Sequence, residues 1–250
     1  MRGREGMALI LILWIVTLVG LLVLWTGREV RTVVGGARGF SLAARDYLLA
    51  YSGLQEALVR LTLSDPEMRW VPDGTTRPLR IDGRRLEVSV ESEHLKVNVN
   101  RAKEDALVGV LEEVGLAAEE VAQAILDFKD RDNVQRPRGA EEEYYQGLNP
   151  PYRPANRPFQ VLEELLYVRG IDRDVLYRRQ SPRLLDLITL WGGRAVQLQE
   201  GEEEEPELKP GRSYRITVST GRLTVMAVVV YLPHTEEIFK IRYRSEFYPR

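Results

Sequence analysis

The longest apolar stretch of the chain lies close to its N-terminus. Met7 to Trp25 runs for 19 positions without a charged side chain, close to the ~20 residues that a helix needs to cross the hydrocarbon core of a membrane. A secretory signal peptide would have a shorter apolar region and a small-residue cleavage site, whereas Thr26-Gly27-Arg28 follows here. The pattern therefore predicts a membrane-spanning helix over residues 7–27.

Apolar residues continue beyond this stretch on one helical face. They recur at alternating spacings of four and three, at Phe40, Ala44, Tyr47, Tyr51, Leu54, Leu58 and Leu61. The pattern predicts one helix from about Met7 to Leu63, whose second half packs on a folded domain. A membrane anchor followed by an unrelated amphipathic helix is the simpler alternative.

Alternating apolar and polar residues predict strands on both sides of the middle of the chain. The predicted strands are 79–81, 84–91, 95–99, 213–220, 223–231 and 238–247. Gly83 marks one turn, and the Gly221-Arg222 pair fits a two-residue hairpin turn. We expect these strands to form a small antiparallel sheet.

The segment between the strands has a helical pattern. Its apolar residues predict two short helices joined at 115–118 and, after a proline-rich linker, a further helical pair within 162–190. The predicted fold class is α+β: a long N-terminal helix, transmembrane in its first half, packed on a small antiparallel sheet, with an inserted all-α domain of helical hairpins.

Composition argues against several functions. The 35 Lys+Arg and 37 Asp+Glu leave a formal net charge of −2, which is not the basic balance of sequence-independent nucleic-acid binding. The chain has no cysteine, so disulfides and thiolate metal sites are excluded. Neither His94 nor His234 has a nucleophile or acid motif nearby, and no known hydrolase or nucleotide-binding motif occurs. We expect no enzymatic activity.

A group of acids between two predicted helices is the best candidate site. Asp130, Asp132 and Glu141 occupy the first, third and twelfth places of a loop, as in an EF-hand, and Asp127 and Glu142 lie beside them. Carboxylate oxygens favour Ca²⁺ over softer metals. The sequence therefore offers a candidate calcium site formed by these five residues.

The loop also departs from an EF-hand. Gln135 stands at the sixth place, where the turn needs glycine, and Pro137 interrupts the loop. A complete EF-hand is therefore not expected. The alternative is that the acids cap helices and pair with Arg131, Arg136 and Arg138.

The first six residues, Met1 to Gly6, contain two arginines and end in glycine directly before the apolar stretch. This arrangement resembles the class III signal of type IV pilins and pseudopilins, which implies cleavage by prepilin peptidase between Gly6 and Met7. Most members carry a glutamate five residues into the mature chain, where this sequence has Leu11. In the resemblance, the subunit at the pseudopilus tip is the one expected to lack that acid.

Motifs farther along the chain extend the resemblance. They occur in the order seen in the minor pseudopilin K family of type II secretion: Asn98-Val99-Asn100, 127–132, Gly139-Ala140-Glu141, Tyr144-Tyr145, Pro150-Pro151-Tyr152, 155–159 and Glu163-Glu164-Leu165. The resemblance covers residues 1 to about 192. Beyond that point the chain departs from the family at 196–199 and in the acidic run 202–205, where we expect a loop.

The resemblance implies how the chain is divided. The expected parts are a leader (1–6), a transmembrane part (7–27), the first part of a pilin-like body (28–99), an inserted all-α domain (100–194), an acidic loop (195–211) and the C-terminal strands of the body (212–250). Leu11, Phe40, Tyr47 and Tyr51 are the expected assembly residues of the long helix. Calcium is the expected ion of the inserted domain.

The resemblance also implies a function. It is that of a non-enzymatic tip subunit, anchored in the inner membrane by one span with its C-terminal domain in the periplasm, which initiates or caps the pseudopilus and helps protein export. The implied partners are prepilin peptidase, the other minor pseudopilins, the major pseudopilin, the inner-membrane assembly platform and secreted cargo. Methylation of Met7 would follow cleavage.

Two other functions stay open. The same fold could serve at the tip of a type IV pilus or competence filament. Helical hairpins also occur in receptors that clamp the DNA backbone with a Gly-hydrophobic-Gly turn, but the two candidate turns, at Gly115 and Gly170, have one glycine each. Residues 98–190 contain 13 Lys+Arg and 17 Asp+Glu, a net charge of −4, which disfavours DNA binding.

Overall fold

The structure, a computed structural model, describes the backbone of residues 2–177, 182–192 and 207–248 and their side chains except those of 2–12, 23–24 and 26–40. The helices are α1 (Arg2–Leu61), α2 (Glu104–Glu113), α3 (Ala118–Lys129), α4 (Glu142–Gln146), α5 (Arg173–Tyr177) and α6 (Leu184–Leu187). The strands are β1 (Arg77–Ile81), β2 (Arg84–Ser92), β3 (Val97–Asn98), β4 (Ile188–Thr189), β5 (Ser213–Ser219), β6 (Thr224–Tyr231) and β7 (Phe239–Phe247). Two 3₁₀ helices span Glu93–Leu95 and Leu162–Tyr167. The chain forms two compact units, residues 1–48 and 49–250.

The first unit is helical from Arg2 onward. The side chains described between Leu13 and Leu22 are all exposed. Among the described residues, no helix carries an apolar stretch long enough to cross a membrane. The predicted leader residues Gly6 and Met7, and the predicted assembly residues Leu11 and Phe40, lie outside the described side chains.

The second unit is built on a five-stranded antiparallel sheet with the order β1-β2-β5-β6-β7. Strands β2 and β5 are neighbours, with Glu87 opposite Ser219, although the middle of the chain separates them in sequence. Asp82 and Gly83, between β1 and β2, have φ angles of 49° and 73°, the left-handed conformation that two-residue hairpin turns require. Gly221, in the other predicted turn, has a φ of 83°. The predicted antiparallel sheet and its two turns are confirmed.

The last three turns of α1 pack on one face of this sheet. Leu54 and Ala57 are completely buried. A β carbon at Gly53 would lie 2.8 Å from Cγ1 of Val218, so glycine allows helix and sheet to approach closely here. The facing strand residues alternate with polar ones and are buried: Leu86, Val88, Val90, Ile216 and Val218. The predicted packing of the second half of the helix is therefore confirmed for residues 49–61.

The chain enters and leaves the inserted domain at neighbouring positions. Strands β3 and β4 pair in parallel, Val97 with Ile188 and Asn98 with Thr189. The side-chain amide of Asn98 donates a hydrogen bond to the carbonyl of Gly192 at 2.6 Å. The two ends of the inserted segment are thus joined, and its apolar side chains form a common core around α2 and α3.

The helical content of the inserted domain is lower than predicted. The first predicted hairpin is confirmed as α2 and α3, but the second is wrong: residues 162–167 form a 3₁₀ helix, α5 and α6 have five and four residues, and 188–189 is a strand. Val168 is extended, with φ −82° and ψ 137°, and Pro182 lacks the amide hydrogen that a continuing helix needs. The apolar residues of this region are buried as predicted, but they lie on short helical turns and extended segments instead of on two long helices. The domain is therefore not all-α.

The predicted strand over 95–99 is also shorter than expected. Ser92 Oγ accepts a hydrogen bond from the amide of His94 at 3.3 Å, and this cap starts the 3₁₀ turn that ends β2. Only Val97 and Asn98 then form a strand, in a separate two-stranded sheet. Residues 193–206, which include most of the predicted acidic loop, lie outside the described residues.

Candidate functional site

Three carboxylates meet in the loop between α3 and α4. Asp130 caps the C-terminus of α3, and Glu141 directly precedes α4. Oxygen atoms of Asp130, Asp132 and Glu141 all lie within 4.8 Å of one another. The loop therefore brings its two ends together, and with them three of the five predicted metal ligands.

Glu141 is the member of this group with the least compensated charge. It is 3% exposed, and neither of its carboxylate oxygens accepts a hydrogen bond of normal geometry from the residues that the structure describes. Burial, together with the carboxylates of Asp127 and Asp130, raises the pKa of Glu141 from 4.5 to about 7. A hard divalent cation would supply the missing partner and relieve the repulsion, so these oxygens fit Ca²⁺.

The two other predicted ligands, Asp127 and Glu142, pair with arginines. Asp127 is completely buried, and its Oδ1 lies 2.5 Å from Nη1 of Arg136. The same nitrogen lies 2.6 Å from Oδ2 of Asp130. Glu142 Oε1 lies 2.9 Å from Nε of Arg153. Of the three arginines named in the predicted alternative, Arg136 pairs with two of the acids, whereas Arg138 pairs with Glu119 outside the group.

The loop turns later than an EF-hand loop would. Gln135 donates a side-chain hydrogen bond to the carbonyl of Gly139 at 3.0 Å, and the amide of Gly139 donates to the carbonyl of Arg136 at 3.0 Å. The reversal thus falls at residues 136–139 instead of at the sixth place. The absence of a complete EF-hand, expected from Gln135 and Pro137, agrees with this geometry.

Aromatic packing fixes the helices on both sides of the loop. Phe128 of α3 stacks on Phe159 with 5.6 Å between ring centroids and meets Tyr145 of α4 edge-on at 5.5 Å. Lys129 Nζ donates to the carbonyl of Val99 at 2.6 Å, and burial lowers the pKa of Lys129 to about 8. Because these residues flank the carboxylates, the site is positioned by the domain core.

A second charged cluster, which the sequence did not suggest, connects the sheet to the inserted domain. Glu93 and Arg215 are almost completely buried, with Nε of Arg215 2.5 Å from Oε1 of Glu93. Lys96 Nζ lies 3.7 Å from the same carboxylate. Arg215 also donates to the carbonyls of Leu185 and Ile188, in and after α6. In the sequence, Arg215 shares its strand face with the polar residues Thr217 and Ser219, as a solvent-facing residue would. The alternation therefore did not indicate that Arg215 is buried.

The remaining predicted site residues lie on α1. Tyr47 is half-buried in the unit of residues 1–48, and Tyr51, which belongs to the second unit, is 37% exposed. Their predicted role in assembly stays a prediction.

A family of known proteins matches the middle of the chain. The family described as Type II secretion system (T2SS), protein K, matches residues 86–187. This range includes most of β2, strand β3, helices α2 to α6 and the acidic loop, and it ends directly before β4. It therefore covers the part of the chain that carries the candidate site.

Two curated relatives agree with the family match. Type II secretion system protein K of Pectobacterium carotovorum subsp. carotovorum is 45% identical over 65 residues, 26% of this chain and 20% of that protein. Type II secretion system protein K of Aeromonas hydrophila is 40% identical over 78 residues, 31% of this chain and 23% of that protein. The matched segments thus span less than a quarter of either relative.

A solved structure shares the fold. It is a chain of the GspK-GspI-GspJ complex from the type 2 secretion system of enterotoxigenic Escherichia coli, with a TM-score of 0.51 and 15% identity. The superposition covers 83% of this chain and 99% of that chain. The predicted resemblance to the protein K family is therefore confirmed, and the mixed helix and antiparallel sheet fold agrees with it.

Proposed function

Because residues 86–187 match protein K of the type II secretion system, we propose that this chain is a minor pseudopilin that helps export proteins across the outer membrane. The family match is the observation that carries the proposal. The shared fold supports it. In this function the chain catalyses no reaction and acts by assembling with other subunits.

The proposed location is the inner membrane, with one span and the C-terminal domain in the periplasm. The uncharged stretch from Met7 to Trp25 supports this location. Prepilin peptidase would cut after Gly6 and could then methylate Met7. Leu11, Phe40, Tyr47 and Tyr51 would lie against the helices of neighbouring subunits and the assembly platform.

Within the pseudopilus we propose a position at the tip. The inserted domain, which joins neighbouring strands β2 and β5 along the chain, adds a second layer of core around α2 and α3 that Met226 and Phe247 of the sheet also enter. A domain of this kind leaves little room for tightly stacked subunits on all sides, so the end of a fibre is the favoured position. There the subunit would initiate or cap assembly, contact the other minor pseudopilins and the major pseudopilin, and meet secreted cargo. In the solved relative, GspK forms a complex with GspI and GspJ.

We further propose that the acidic loop holds Ca²⁺ through Asp130, Asp132 and Glu141. The two unpartnered oxygens of Glu141 and the buried Oδ1 of Asp130 support this assignment. The ion would supply positive charge to the loop between α3 and α4 and would order it without taking part in a reaction. Asp127, paired with Arg136, would position the loop and not bind the ion directly.

Leader cleavage tests the pseudopilin assignment. The full-length chain is expressed with and without prepilin peptidase, extracted from membranes and measured by intact mass spectrometry. We expect residues 1–6 to be lost only when the peptidase is present. An uncut chain, or cleavage beyond Trp25, would contradict the assignment.

The tip position needs a different measurement. Pseudopili assembled with an epitope-tagged copy of this chain would be labelled with gold particles and imaged by electron microscopy. We expect label at one end of each fibre, and an equally tagged major pseudopilin as control should be labelled along the length. Regular labelling along the fibre by this chain would exclude the tip position.

A further inference from the structure

The side-chain oxygen of Asn156 is buried and has no hydrogen-bond partner. In the part of the chain that the structure describes, the buried side-chain atoms without such a partner fall into two groups. The first group belongs to side chains that balance one another as ions: Glu93, Lys96 and Arg215. The second group contains only acceptor oxygens: Oδ1 of Asp130, both carboxylate oxygens of Glu141 and Oδ1 of Asn156. Two of these residues are proposed calcium ligands, and Asn156 shares the property that distinguishes them.

Asn156 lies at the same end of α3 as the acidic loop. It belongs to the proline-rich segment, residues 150–159, and its backbone amide donates a hydrogen bond to the carbonyl of Phe128 at 3.0 Å. Two positions further along the chain from Phe128, the backbone amide of Asp130 closes the last turn of α3. Stacking of Phe159 on Phe128 holds the end of the same segment against the helix. The proline-rich segment thus brings Asn156 to the helix end that carries Asp130.

The backbone of Asn156 is held in an unusual conformation. Its φ angle is 47°, in the left-handed region, which few residues other than glycine adopt. Among the described residues the other such case is Asp82, where a two-residue hairpin turn requires it. Asn156 lies in no hairpin. Strained positions of this kind cluster at ligand sites, so the conformation supports a functional role for the side chain.

The three proposed carboxylate ligands leave the coordination of Ca²⁺ incomplete, because this ion takes about 6–8 oxygen ligands. Oδ2 of Asp130 lies 2.6 Å from Nη1 of Arg136, and Oδ1 of Asp132 accepts a hydrogen bond from the amide of Val134 at 3.0 Å. Four carboxylate oxygens then remain: Oδ1 of Asp130, Oδ2 of Asp132 and both oxygens of Glu141. Further oxygens must therefore come from water, from the backbone or from another side chain.

We propose that Oδ1 of Asn156 binds the Ca²⁺ held by Asp130, Asp132 and Glu141. This inference rests on the proposed calcium site and extends it to the proline-rich segment. Asparagine oxygens are among the usual ligands of Ca²⁺. A neutral oxygen suits the position, because the three carboxylates already carry more negative charge than the ion neutralises and a fourth would add to their repulsion. Through Asn156 the ion would connect the proline-rich segment to the acidic loop.

Terbium luminescence tests the proposal. Tb³⁺ resembles Ca²⁺ in size and in its preference for oxygen ligands, and the difference between its emission lifetimes in H₂O and D₂O counts the water molecules bound to it. The measurement uses the full-length protein in detergent, with Tb³⁺ displaced by Ca²⁺ to obtain the affinity for both ions. Wild-type protein that binds neither ion would overturn this proposal together with the calcium site, and it would leave the leader-cleavage result unaffected.

Asn156→Gly removes the proposed ligand and places there a residue that adopts a positive φ without strain. We expect its affinity for Ca²⁺ to fall about tenfold, the usual size of one lost interaction with a charged group, and the number of water molecules on Tb³⁺ to rise by about one. Gln146→Ala, which removes an exposed side-chain amide in α4, is the matched control and should change neither. An unchanged affinity and water count in Asn156→Gly would overturn the proposal while leaving the calcium site in place.

Asn156→Asp separates a ligand from a residue that only supports the loop. The variant keeps an oxygen at the same position but loses the two side-chain N–H donors, so we expect it to bind Tb³⁺ with the wild-type number of water molecules. If Asn156→Asp gained a water molecule as Asn156→Gly does, the side chain would act as a hydrogen-bond donor, and its assignment as a ligand would be wrong. Circular dichroism of each variant checks that it is folded before the comparison is made.

Discussion

The five-stranded sheet with the segments that pack on it (residues 49–95 and 207–248, the sheet unit) and the inserted domain each bury a glutamate, and the two charges are balanced differently. Glu93, beside the sheet, lies against Arg215 and near Lys96, and Thr189 donates its hydroxyl to the carboxylate. Glu141, in the inserted domain, is nearly as buried but faces other carboxylates. An unpaired buried charge is costly. The sheet unit therefore contains its own counter-ions, whereas the inserted domain leaves one carboxylate to be neutralised by a proton or by a metal ion from solution.

The same difference extends to the backbone. In the sheet unit, long strands pair their amides and carbonyls with one another. The inserted domain has short helices and turns, and many of its backbone groups bond to side chains instead. Asn100, for example, exchanges two hydrogen bonds with the backbone of Phe159, at 2.8 and 2.9 Å. Its structure therefore depends more on individual side chains, including the acids of the loop.

The largest expected effect comes from removing the counter-ion of Glu93. Arg215→Met keeps much of the apolar volume but leaves Glu93 buried beside Lys96 alone. We expect the free energy of unfolding to fall by about 3–5 kcal/mol, the usual effect of breaking a buried ion pair. Urea unfolding of the full-length protein in detergent, followed by circular dichroism, measures the change.

Two further variants test the cause. Glu93→Gln combined with Arg215→Met should lose less than the sum of the single variants, since the double variant contains no unpaired charge. Arg222→Met, at an exposed turn, should change stability by no more than ~0.5 kcal/mol. If Arg215→Met lowered the free energy of unfolding by less than about 1 kcal/mol, Lys96 and the hydroxyl of Thr189 would be enough to compensate the buried charge of Glu93.

The second prediction concerns Glu141 and pH. Its pKa is raised from 4.5 to about 7 in the folded chain, so between these values the folded state holds a proton that the unfolded state has lost. The free energy of unfolding in chelator should therefore fall as the pH rises through this range, by about 2–3 kcal/mol. Urea unfolding at a series of pH values measures it.

Calcium and a neighbouring glutamate provide the controls. Added Ca²⁺ should restore the stability that is lost at high pH, because it binds the ionised carboxylates of the folded state. Glu141→Gln should remove both the pH dependence and most of the calcium effect. Glu142→Gln, whose carboxylate pairs with Arg153, should retain both. A pH dependence unchanged by Glu141→Gln would assign the titration to another group.

Much of the sheet unit could be predicted from the sequence because alternation marks strands that have one buried face. The strand ends at 81, 231 and 247 agree with the predicted ends. In the inserted domain, the spacing of Asp130, Asp132 and Glu141 predicted their proximity correctly, since loop closure depends on local turns. The region after Leu162 was mispredicted because its apolar residues are buried from 3₁₀ and extended segments, which lack the 3.6-residue period. Arg215 was missed because its partners come from distant segments.

The third prediction tests the buried pair of Asp127 with Arg136, which lies beside the acidic loop. A β carbon at Gly139 would lie 2.7 Å from Cγ of Asp127, so Gly139→Ala must displace the pair of Asp127 with Arg136. We expect a loss of about 1–3 kcal/mol in the free energy of unfolding and weaker calcium binding, measured by urea unfolding and calorimetry. Gly147→Ala, at φ −76° and ψ −8°, is the control and should change neither. Unchanged calcium binding in Gly139→Ala would exclude a positioning role for Asp127.

The smallest expected effect concerns a third glutamate, Glu163, whose carboxylate is held by hydroxyl groups and has no arginine partner in the described part of the chain. Oε1 of Glu163 accepts hydrogen bonds from Tyr243 and Ser245 of β7, both at 2.5 Å, and from Tyr177 at 3.3 Å. Burial raises the pKa of Tyr243, so this hydroxyl stays protonated and keeps donating. Tyr243→Phe removes one of three donors, and we expect a loss of about 1 kcal/mol.

Urea unfolding of Tyr243→Phe measures this loss, with Tyr248→Phe at an exposed tyrosine as the control. A loss as large as that of Arg215→Met would mean that the three hydroxyl hydrogen bonds to Glu163 are strongly cooperative, so that removing one also weakens the others. The predicted small loss would instead show that hydroxyl donors stabilise a carboxylate without a counter-ion. Glu141 would then differ from Glu93 and Glu163 because, among the described residues, no side chain donates a hydrogen bond to its carboxylate, which is the property expected of a metal ligand and not of burial alone.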